Sequence, residues 1–437
     1  MSSLKSIAHP GIAVNQTDEA RVYAKVTWRL IPLLFMCYVV AYLDRVNVGF
    51  AKLQMLHDLQ FSETVYGLGA GIFFIGYFLF EVPSNIILHK VGARIWIARV
   101  MITWAVISAA TMFVKTPTMF YVVRFALGLA EAGLFPGVIL YLTYWYPSKR
   151  RSKMIALFMT GIPVAGVIGG PVSGWIMHSM AGMNGWAGWQ WLFLLEAVPS
   201  VVMAIAVIAF LDDRVSDAKW LTEPERHLIA SDIAQDNTQA ESHSLRDGFT
   251  NPRVWLMCAI YFFFAVGLYG VGFFLPTLIK NSGVKDPLVV GFLSMLPYAA
   301  AVIAMILVSR SSDAMRERRW HITVPAWVGA IAWLFAVGFS HDIVIAVIAL
   351  TVVTSCVIVT ISQFWCLPTA ILSGAAAAAG IAVVNSVGNL SGFLGPFFIG
   401  WVTDKTHSTD IGLYMMATSL VLGGLLVLRV KKDLVNR

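Results

Sequence analysis

The sequence predicts an all-α membrane protein with twelve transmembrane helices in two six-helix halves. The first observation is composition: 58% of the 437 residues are hydrophobic and only 13% are charged, against roughly 25% charged residues in soluble domains. The second is that the apolar residues form twelve long runs. The third is one long polar segment, 212–252, between the sixth run and the seventh. Together they exclude a soluble domain, a disordered chain and, with only four cysteines, a disulfide scaffold.

Each predicted span is a run of about 20 mostly apolar residues, the length that a helix needs to cross a bilayer. The runs are 30–51, 66–88, 95–114, 118–145, 154–179, 189–211, 253–279, 288–309, 321–340, 343–372, 375–402 and 411–429. Because residues 1–23 are polar, we predict no removable signal peptide, and the first span itself directs insertion. The predicted domains are a cytoplasmic N-terminal segment, a first bundle, a cytoplasmic linker, a second bundle and a cytoplasmic tail, at 1–29, 30–211, 212–252, 253–429 and 430–437.

Lysine and arginine cluster in alternate loops, which predicts the orientation of the chain. The loops after spans two, four and eight are basic, with Lys90, Arg94, Lys149, Arg150, Arg151, Lys153, Arg310, Arg316, Arg318 and Arg319. Basic loops stay in the cytoplasm, so we expect a multi-pass membrane protein with both termini cytoplasmic. The net charge of +7 is explained by these loops and does not indicate nucleic-acid binding.

The two halves resemble each other at their fifth spans. Span five contains GVIGGPVSGW at 166–175, and span eleven contains GFLGPFFIGW at 392–401. Glycines at this spacing let helices approach closely and bend near the proline. Paired six-span halves are typical of secondary transporters, which bind substrate between the halves.

Apart from Arg253 and Arg429 at the very ends of their spans, seven acidic or arginine side chains lie inside predicted spans, and all seven belong to the first half. They are Asp44, Arg45, Glu81, Arg99, Arg124, Glu131 and Glu196. An ionisable group at membrane depth costs about 2.5–3.5 kcal/mol, so each one indicates a function or a partner. We expect Arg99 to extend to the membrane surface, and Glu81 and Glu196 to bind partners near helix breaks. A half that carries the charges, facing a neutral half, is suited to a charged substrate.

Arg124 and Glu131 are separated by two turns of span four, about 10 Å along one helix face. A guanidinium pairs with a carboxylate through two parallel hydrogen bonds, so Arg124 is a candidate for binding an anionic substrate. Glu131 is a candidate proton carrier, because desolvation favours a protonated carboxyl. The alternative is an internal ion pair with a structural role. Asp44 and Arg45 point about 100° apart, so one is expected to face the cavity and the other a neighbouring helix.

Neutral candidates for substrate contact lie in spans ten and eleven. Asn385 and Asn389 are four residues apart and share a helix face, while Ser362, Gln363 and Trp365 lie in span ten. Amides and hydroxyls form hydrogen bonds with substrate hydroxyls, and tryptophan stacks on a ring or an aliphatic face. The alternative for Ser362 and Gln363 is hydrogen bonding between helices.

Four motifs resemble the anion:cation symporter family of the major facilitator superfamily. They are YLDRVNVGFA at 42–51, EVPSN at 81–85, RFALGLAEAG at 124–133 and GWQWLFLLE at 188–196. YLTYWYP at 141–147 and LPTAILSG at 367–374 are most similar to the bacterial tartrate, phthalate and hydroxyphenylacetate branch. The resemblance covers essentially the whole chain and implies two pseudo-symmetric six-helix bundles.

The resemblance also implies roles for particular residues. The family positions that match Asp44 and Glu131 couple protons, and those that match Arg45 and Arg124 contact substrate. Two aromatic positions that contact substrate in family members are matched by Tyr42 and Tyr77. Tyr261, also placed in the predicted site, stands where relatives of the galactonate transporter have a more polar residue. This departure argues against galactonate as the substrate.

The sequence predicts a secondary active transporter and not an enzyme. We expect a proton-coupled symporter that imports a small organic carboxylate, namely a tartrate-like hydroxy acid, an aromatic acid or a sugar acid, by alternating access. The sequence contains no Walker motif or Cys/His cluster, so we expect no cofactor or metal, and the proton gradient as driving force. Expected partners are the organic anion, protons and the bilayer, with the chain as a monomer. The alternatives are a proton-driven efflux antiporter and, from other classes, a membrane sensor or an intramembrane enzyme.

Overall fold

The computed structural model describes residues 16–239, 251–371 and 374–436. Its regular structure within these ranges is helical, and twelve stretches are long and apolar enough to cross a membrane. The prediction of an all-α protein with twelve spans is therefore confirmed. Twelve crossings bring both ends of the described chain to one side of the membrane, which we call the terminus side, and the opposite side is the distal side.

The α-helices of the first half and of the segment after it are α1 (Gln16–Leu59), α2 (Glu63–Val91), α3 (Ala93–Ala110), α4 (Pro117–Glu131), α5 (Leu134–Thr143), α6 (Ser148–Met159), α7 (Gly161–Ser179), α8 (Gly188–Phe210) and α9 (Glu223–Gln239). Those of the second half are α10 (Pro252–Asn281), α11 (Pro287–Met315), α12 (Arg319–Gly338), α13 (Ile343–Phe364), α14 (Cys366–Ile371), α15 (Gly374–Asn389), α16 (Ser391–Thr406), α17 (Asp410–Leu428) and α18 (Lys432–Val435). Spans four, five, ten and eleven each consist of two helices.

Polar caps mark where five helices begin. Each capping side chain accepts a hydrogen bond from a backbone N–H in the first turn of α2, α4, α10, α11 or α13, and the caps are Ser62, Thr116, Asn251, Asp286 and Asp342. These N–H groups have no partner within their own helix, so the caps stabilise the helix starts.

The interruptions of four spans differ from the continuous runs that the sequence predicts. Span four breaks at Ala132 and Gly133, directly after Glu131. Gly133 has a φ of +102°, and a Cβ atom there would lie 1.9 Å from the Oγ of Ser84, so the backbone and the packing both require glycine. The other three spans break at Thr160, Trp365 and Leu390. A hydropathy run does not reveal such breaks, because each apolar run continues beyond its break.

The two halves are packed together on the distal side. The start of span two lies against the end of span eleven, and span five lies against span eight. A Cβ atom on Gly67 would lie 2.3 Å from the carbonyl oxygen of Pro396, and one on Gly170 would lie 2.6 Å from that of Gly291. These contacts confirm that the glycines of span five allow close approach, here to the second half.

Hydrogen bonds between the halves reinforce the distal contact. Asp404 accepts the backbone N–H groups of Glu63 and Thr64 at 3.0 and 2.8 Å. The Nζ of Lys280 donates to the carbonyl oxygen of Leu53 at 2.8 Å. The central cavity is therefore sealed from the distal surface by helix packing and by polar contacts across the halves.

The polar segment after span six contains α9, which is attached to the first half. The Nζ of Lys25 contacts Glu225 at 2.8 Å, and the hydroxyl of Tyr23 donates to Asp232 at 2.9 Å. Partial burial raises the pKa of Glu225, but hydrogen bonds from Lys25 and Thr222 outweigh it, so this pKa lies below its ordinary value. Residues 240–250 of the predicted linker lie outside the described residues.

Candidate functional site

A small cavity of about 20 Å³ lies between the two halves near the middle of the spans. Its lining combines aromatic side chains with one arginine and two amides. Six predicted site residues line it, namely Tyr42, Arg45, Tyr77, Tyr261, Asn385 and Asn389. The structure therefore brings together residues from spans one, two, seven and eleven, which are far apart in the sequence.

An ion pair between Arg45 and Glu131 borders this cavity. The Nε of Arg45 donates to Oε1 of Glu131 at 2.9 Å, and Nη2 of Arg45 contacts the same oxygen. Both side chains are buried. The guanidinium also lies over the ring of Tyr77, 5.3 Å from its centroid. Glu131 is the last residue of α4, so the break in span four places this carboxylate at the edge of the cavity.

Arg124 occupies a separate, fully buried position next to the ion pair. Its Nε donates to the carbonyl oxygen of Gly69 at 3.3 Å, and its guanidinium lies 5.1 Å from the ring centroid of Phe73. Arg45 lies 5.5 Å from the same ring. Nη1 and Nη2 of Arg124 have no hydrogen-bond acceptor in the described chain. Arg124 is not part of the cavity lining, and the partner of Glu131 is Arg45.

Asp44 points away from Arg45, into the interior of the first half. Its Oδ1 accepts the hydroxyl of Ser108 at 3.0 Å, and its Oδ2 accepts Ser200 at 2.6 Å and the indole N–H of Trp104 at 3.0 Å. These three donors are neutral. The geometry agrees with the expectation that one of the two adjacent residues faces the cavity while the other faces neighbouring helices.

Glu81 connects the two halves, a role that the sequence analysis missed. Its Oε1 accepts the side-chain N–H of Asn385 at 2.8 Å, and its Oε2 accepts the hydroxyl of Ser386 at 2.7 Å. An acidic residue followed by Pro-Ser was the only sequence signal, and it did not indicate a partner in span eleven. Asn385 therefore lines the cavity while its amide is already bound to Glu81.

Asn389 and Trp365 lie at the breaks of spans eleven and ten. The hydroxyl of Tyr269, another lining residue that the sequence analysis missed, donates to Asn389 Oδ1 at 2.6 Å. The ring of Trp365 is 4.9 Å from that of Tyr261. Ser362 is half-buried and outside the lining, and the amide of neighbouring Gln363 donates to Ser309 at 2.6 Å, a contact between helices.

Two pseudo-symmetric halves that are closed on one side around a central cavity with buried charges define a secondary transporter. The chain belongs to the major facilitator superfamily, since residues 34–396 match the model described as "Major Facilitator Superfamily". The relatives with similar sequences are named as transporters, so the protein is not an enzyme.

Three relatives cover nearly the whole chain. The "Putative metabolite transport protein NicT" of Pseudomonas putida is 49% identical, over 95% of this chain and 96% of its own. A "Putative tartrate transporter" of Agrobacterium vitis is 48% identical, over 96% and 93%. A "Quinolone resistance transporter" of Acinetobacter baumannii is 40% identical, over 93% and 94%. The crystal structure of a D-xylose-proton symporter shares the fold, with a TM-score of 0.74 at 13% identity, over 94% of this chain and 99% of that one.

Proposed function

We propose that the protein is a proton-coupled symporter that imports a small organic carboxylate across the bacterial inner membrane, with both termini in the cytoplasm. The observation that carries the proposal is the buried ion pair of Arg45 and Glu131 at the edge of the central cavity. The relatives named as metabolite and tartrate transporters support an organic acid as the substrate. The driving force is the proton gradient, no cofactor is required, and the working unit is a monomer.

The ion pair supports a direct exchange between proton and substrate. While Glu131 is ionised, it occupies the guanidinium of Arg45 through Nε and Nη2. Protonation of Glu131 removes the charge that holds the arginine, and Arg45 then pairs with a substrate carboxylate through two parallel hydrogen bonds. Loss of the proton restores the pair and releases the substrate. Proton and substrate are therefore bound together and leave together.

Asp44 is the second proton-coupling residue in this proposal. The side chain is buried and has only neutral donors, Ser108, Ser200 and Trp104. A buried carboxylate without a cation is costly, so uptake of a proton relieves a real penalty. The three donors hold Asp44 in one orientation between spans one, three and six. Gain or loss of a proton on Asp44 therefore changes the hydrogen bonds that join these spans.

The substrate is recognised by groups of both halves. Arg45 and Arg124 supply positive charge on the first half, and Arg124 has two guanidinium nitrogens that lack an acceptor in the described chain. Hydrogen bonding and stacking come from neutral residues, for which we propose Tyr42, Tyr77, Tyr261, Ser362, Trp365, Asn385 and Asn389. The positive charge, amides, hydroxyls and aromatic rings of this lining are groups that bind a small hydroxylated or aromatic acid.

The test is transport in proteoliposomes with an acidic exterior and an alkaline interior. We expect concentrative uptake of labelled tartrate or of another acid from a panel of hydroxy, aromatic and sugar acids, accompanied by alkalinisation of the outside. Substrate movement coupled to proton movement in the opposite direction would instead establish an efflux antiporter. The relative named as a quinolone resistance transporter favours this alternative. If a normally reconstituted protein transports none of the acids, the proposal of a symporter fails and the alternative of a membrane sensor remains.

A further inference from the structure

Arg99 is half-buried and lies on the side of α3 that faces away from the protein interior. The other six charged residues predicted inside the spans are buried in the interior. Arg99 lies on α3 between Ile95 and Ile102, which are 58% and 40% exposed, and Val106 on the same stripe is 63% exposed. Residues spaced by three, four or seven positions share a helix face. The stripe is apolar and uncovered by protein in the described chain, so the bilayer covers it and Arg99 is embedded in a lipid-facing surface.

The guanidinium of Arg99 is directed toward the terminus side. Side chains lean toward the N-terminus of their helix, and α3 begins at Ala93 on that side. Consistent with this direction, the guanidinium carbon lies 3.8 Å from the ring centroid of Trp96, one turn earlier. Arg99 is six residues, about 9 Å, beyond the start of α3. The guanidinium therefore reaches the level at which lipid headgroups meet the acyl chains.

A groove of about 540 Å³ between spans three and six surrounds this guanidinium. Its walls are mostly apolar, from Ile95, Ile102 and Ile208, and its charged groups are Arg94, Arg99 and Asp213. Asp213 is engaged through Oδ1, which accepts the backbone N–H of Arg94 at 2.8 Å. Nε and Nη2 of Arg99 are buried and have no hydrogen-bond acceptor in the described chain. The groove thus contains a half-buried guanidinium with unsatisfied donors, between apolar walls.

We propose that this groove binds one membrane phospholipid, with its phosphate on Arg99 and Arg94 and an acyl chain along the isoleucines. A phosphate oxygen accepts from a guanidinium in the fork geometry that suits arginine. Basic pockets between spans on the cytoplasmic side are suited to phospholipid headgroups. The isoleucine walls match an acyl chain, which a free phosphate ion lacks. The site is on the outer surface and separate from the transport cavity.

The test uses the full chain purified in detergent, with lipid binding measured by native mass spectrometry and by thermal stabilisation. The probe is phosphatidylglycerol, and the controls are diacylglycerol with the same acyl chains and inorganic phosphate. Arg99→Gln is compared with Arg253→Gln, which removes an exposed arginine at the terminus-side start of span seven. Arg99→Leu is a second variant, because leucine suits a lipid-facing position and is expected to fold normally.

We expect both Arg99 variants to bind phosphatidylglycerol about tenfold more weakly than the parent chain, because a charge-assisted hydrogen bond is lost. Arg253→Gln is expected to bind phosphatidylglycerol like the parent chain. Diacylglycerol is expected to stabilise neither the parent chain nor the variants. Equal binding by the Arg99 variants and the parent would overturn the proposal. So would stabilisation by diacylglycerol equal to that by phosphatidylglycerol, or full displacement of the lipid by inorganic phosphate.

Discussion

The two halves of the protein share an architecture but differ in what they bury. In the described chain, the first half buries Asp44, Arg45, Lys52, Glu81, Arg124, Glu131 and Glu196, whereas the buried polar residues of spans seven to twelve are all neutral. Most of the first half's charges are satisfied inside that half, by Arg45 with Glu131 and by hydroxyl or indole donors. Glu81 differs from these, since its two partners belong to the second half. The first half therefore carries the charge chemistry, and the second half contacts it through amides and hydroxyls.

Among substitutions that remove a buried charge from the first half, we expect the largest effect on transport at Glu131. Glu131→Gln keeps the size of the side chain but removes the exchangeable proton, so we expect gradient-driven accumulation to be abolished while counterflow exchange persists. Uptake in proteoliposomes with and without a proton gradient measures both. Asp44→Asn is expected to behave in the same way. Concentrative uptake at the parental level in either variant would remove that residue from the coupling mechanism.

The second prediction concerns the two buried arginines. Arg45→Lys and Arg124→Lys keep the charge but lose the planar fork, so we expect substrate affinity to fall about tenfold or more in each. Binding calorimetry or a thermal-shift titration measures it, and only variants with a normal size-exclusion profile count. If Arg45→Lys alone weakens binding, Arg124 is a structural group that supports Gly69 and Phe73.

The third prediction tests the connection that Glu81 makes between the halves. Removing one partner of a hydrogen bond to a carboxylate costs about 1.5–3 kcal/mol, so Glu81→Ala is expected to lower stability and transport rate. A double-mutant cycle with Asn385→Ala isolates the contact, because the second substitution adds little once Glu81 is absent. Full additivity of the two changes in thermal stability would show that the pair is not coupled. Val82→Ala, at an exposed position next to Glu81 on the same helix, is the control.

The fourth prediction concerns selectivity in the neutral half. Asn389→Ala is expected to lower affinity for a hydroxylated acid several-fold more than for an analogue without the hydroxyl, because an unpaired polar group is left in the site. Tyr269→Phe removes the donor to Asn389 and is the matched comparison. Trp365→Ala is expected to matter most for an aromatic acid. Unchanged ranking of the acid panel in all three variants would move selectivity to the first half, at Tyr42 and Tyr77.

The smallest expected effect lies outside the membrane, where α9 attaches to the first half. The pKa of Glu225 is lowered in the folded protein, so its contribution is present above the unfolded pKa, about 4.3, and is lost as the pH falls through the folded pKa. For a partly exposed ion pair we expect Glu225→Gln to cost below about 1 kcal/mol at pH 7. The difference from the parent in thermal unfolding is expected to shrink at acidic pH. A difference that grows on acidification would contradict this assignment.

Several features were predictable from the sequence because they depend on local composition. The twelve spans follow from runs of apolar residues, and the concentration of intramembrane charge in the first half follows from reading those runs. Helical periodicity also separated Asp44 from Arg45 correctly and placed Asn385 and Asn389 on one face. In each case the relevant residues lie within a few turns of one helix, so the backbone geometry alone relates them.

Only the tertiary structure decided which groups meet. Arg45 and Glu131 are 86 residues apart, and Glu81 and Asn385 are 304 apart, so their pairing depends on which spans are neighbours and how each helix is rotated. The interruptions at Gly133 and Trp365 were equally hidden, because the apolar runs continue across them. Sequence by itself determined how many helices cross the membrane and where the charges are carried. The packing of the two halves determined the partner of each charge, because hydropathy describes the environment of a residue along one helix and not the surface that it faces.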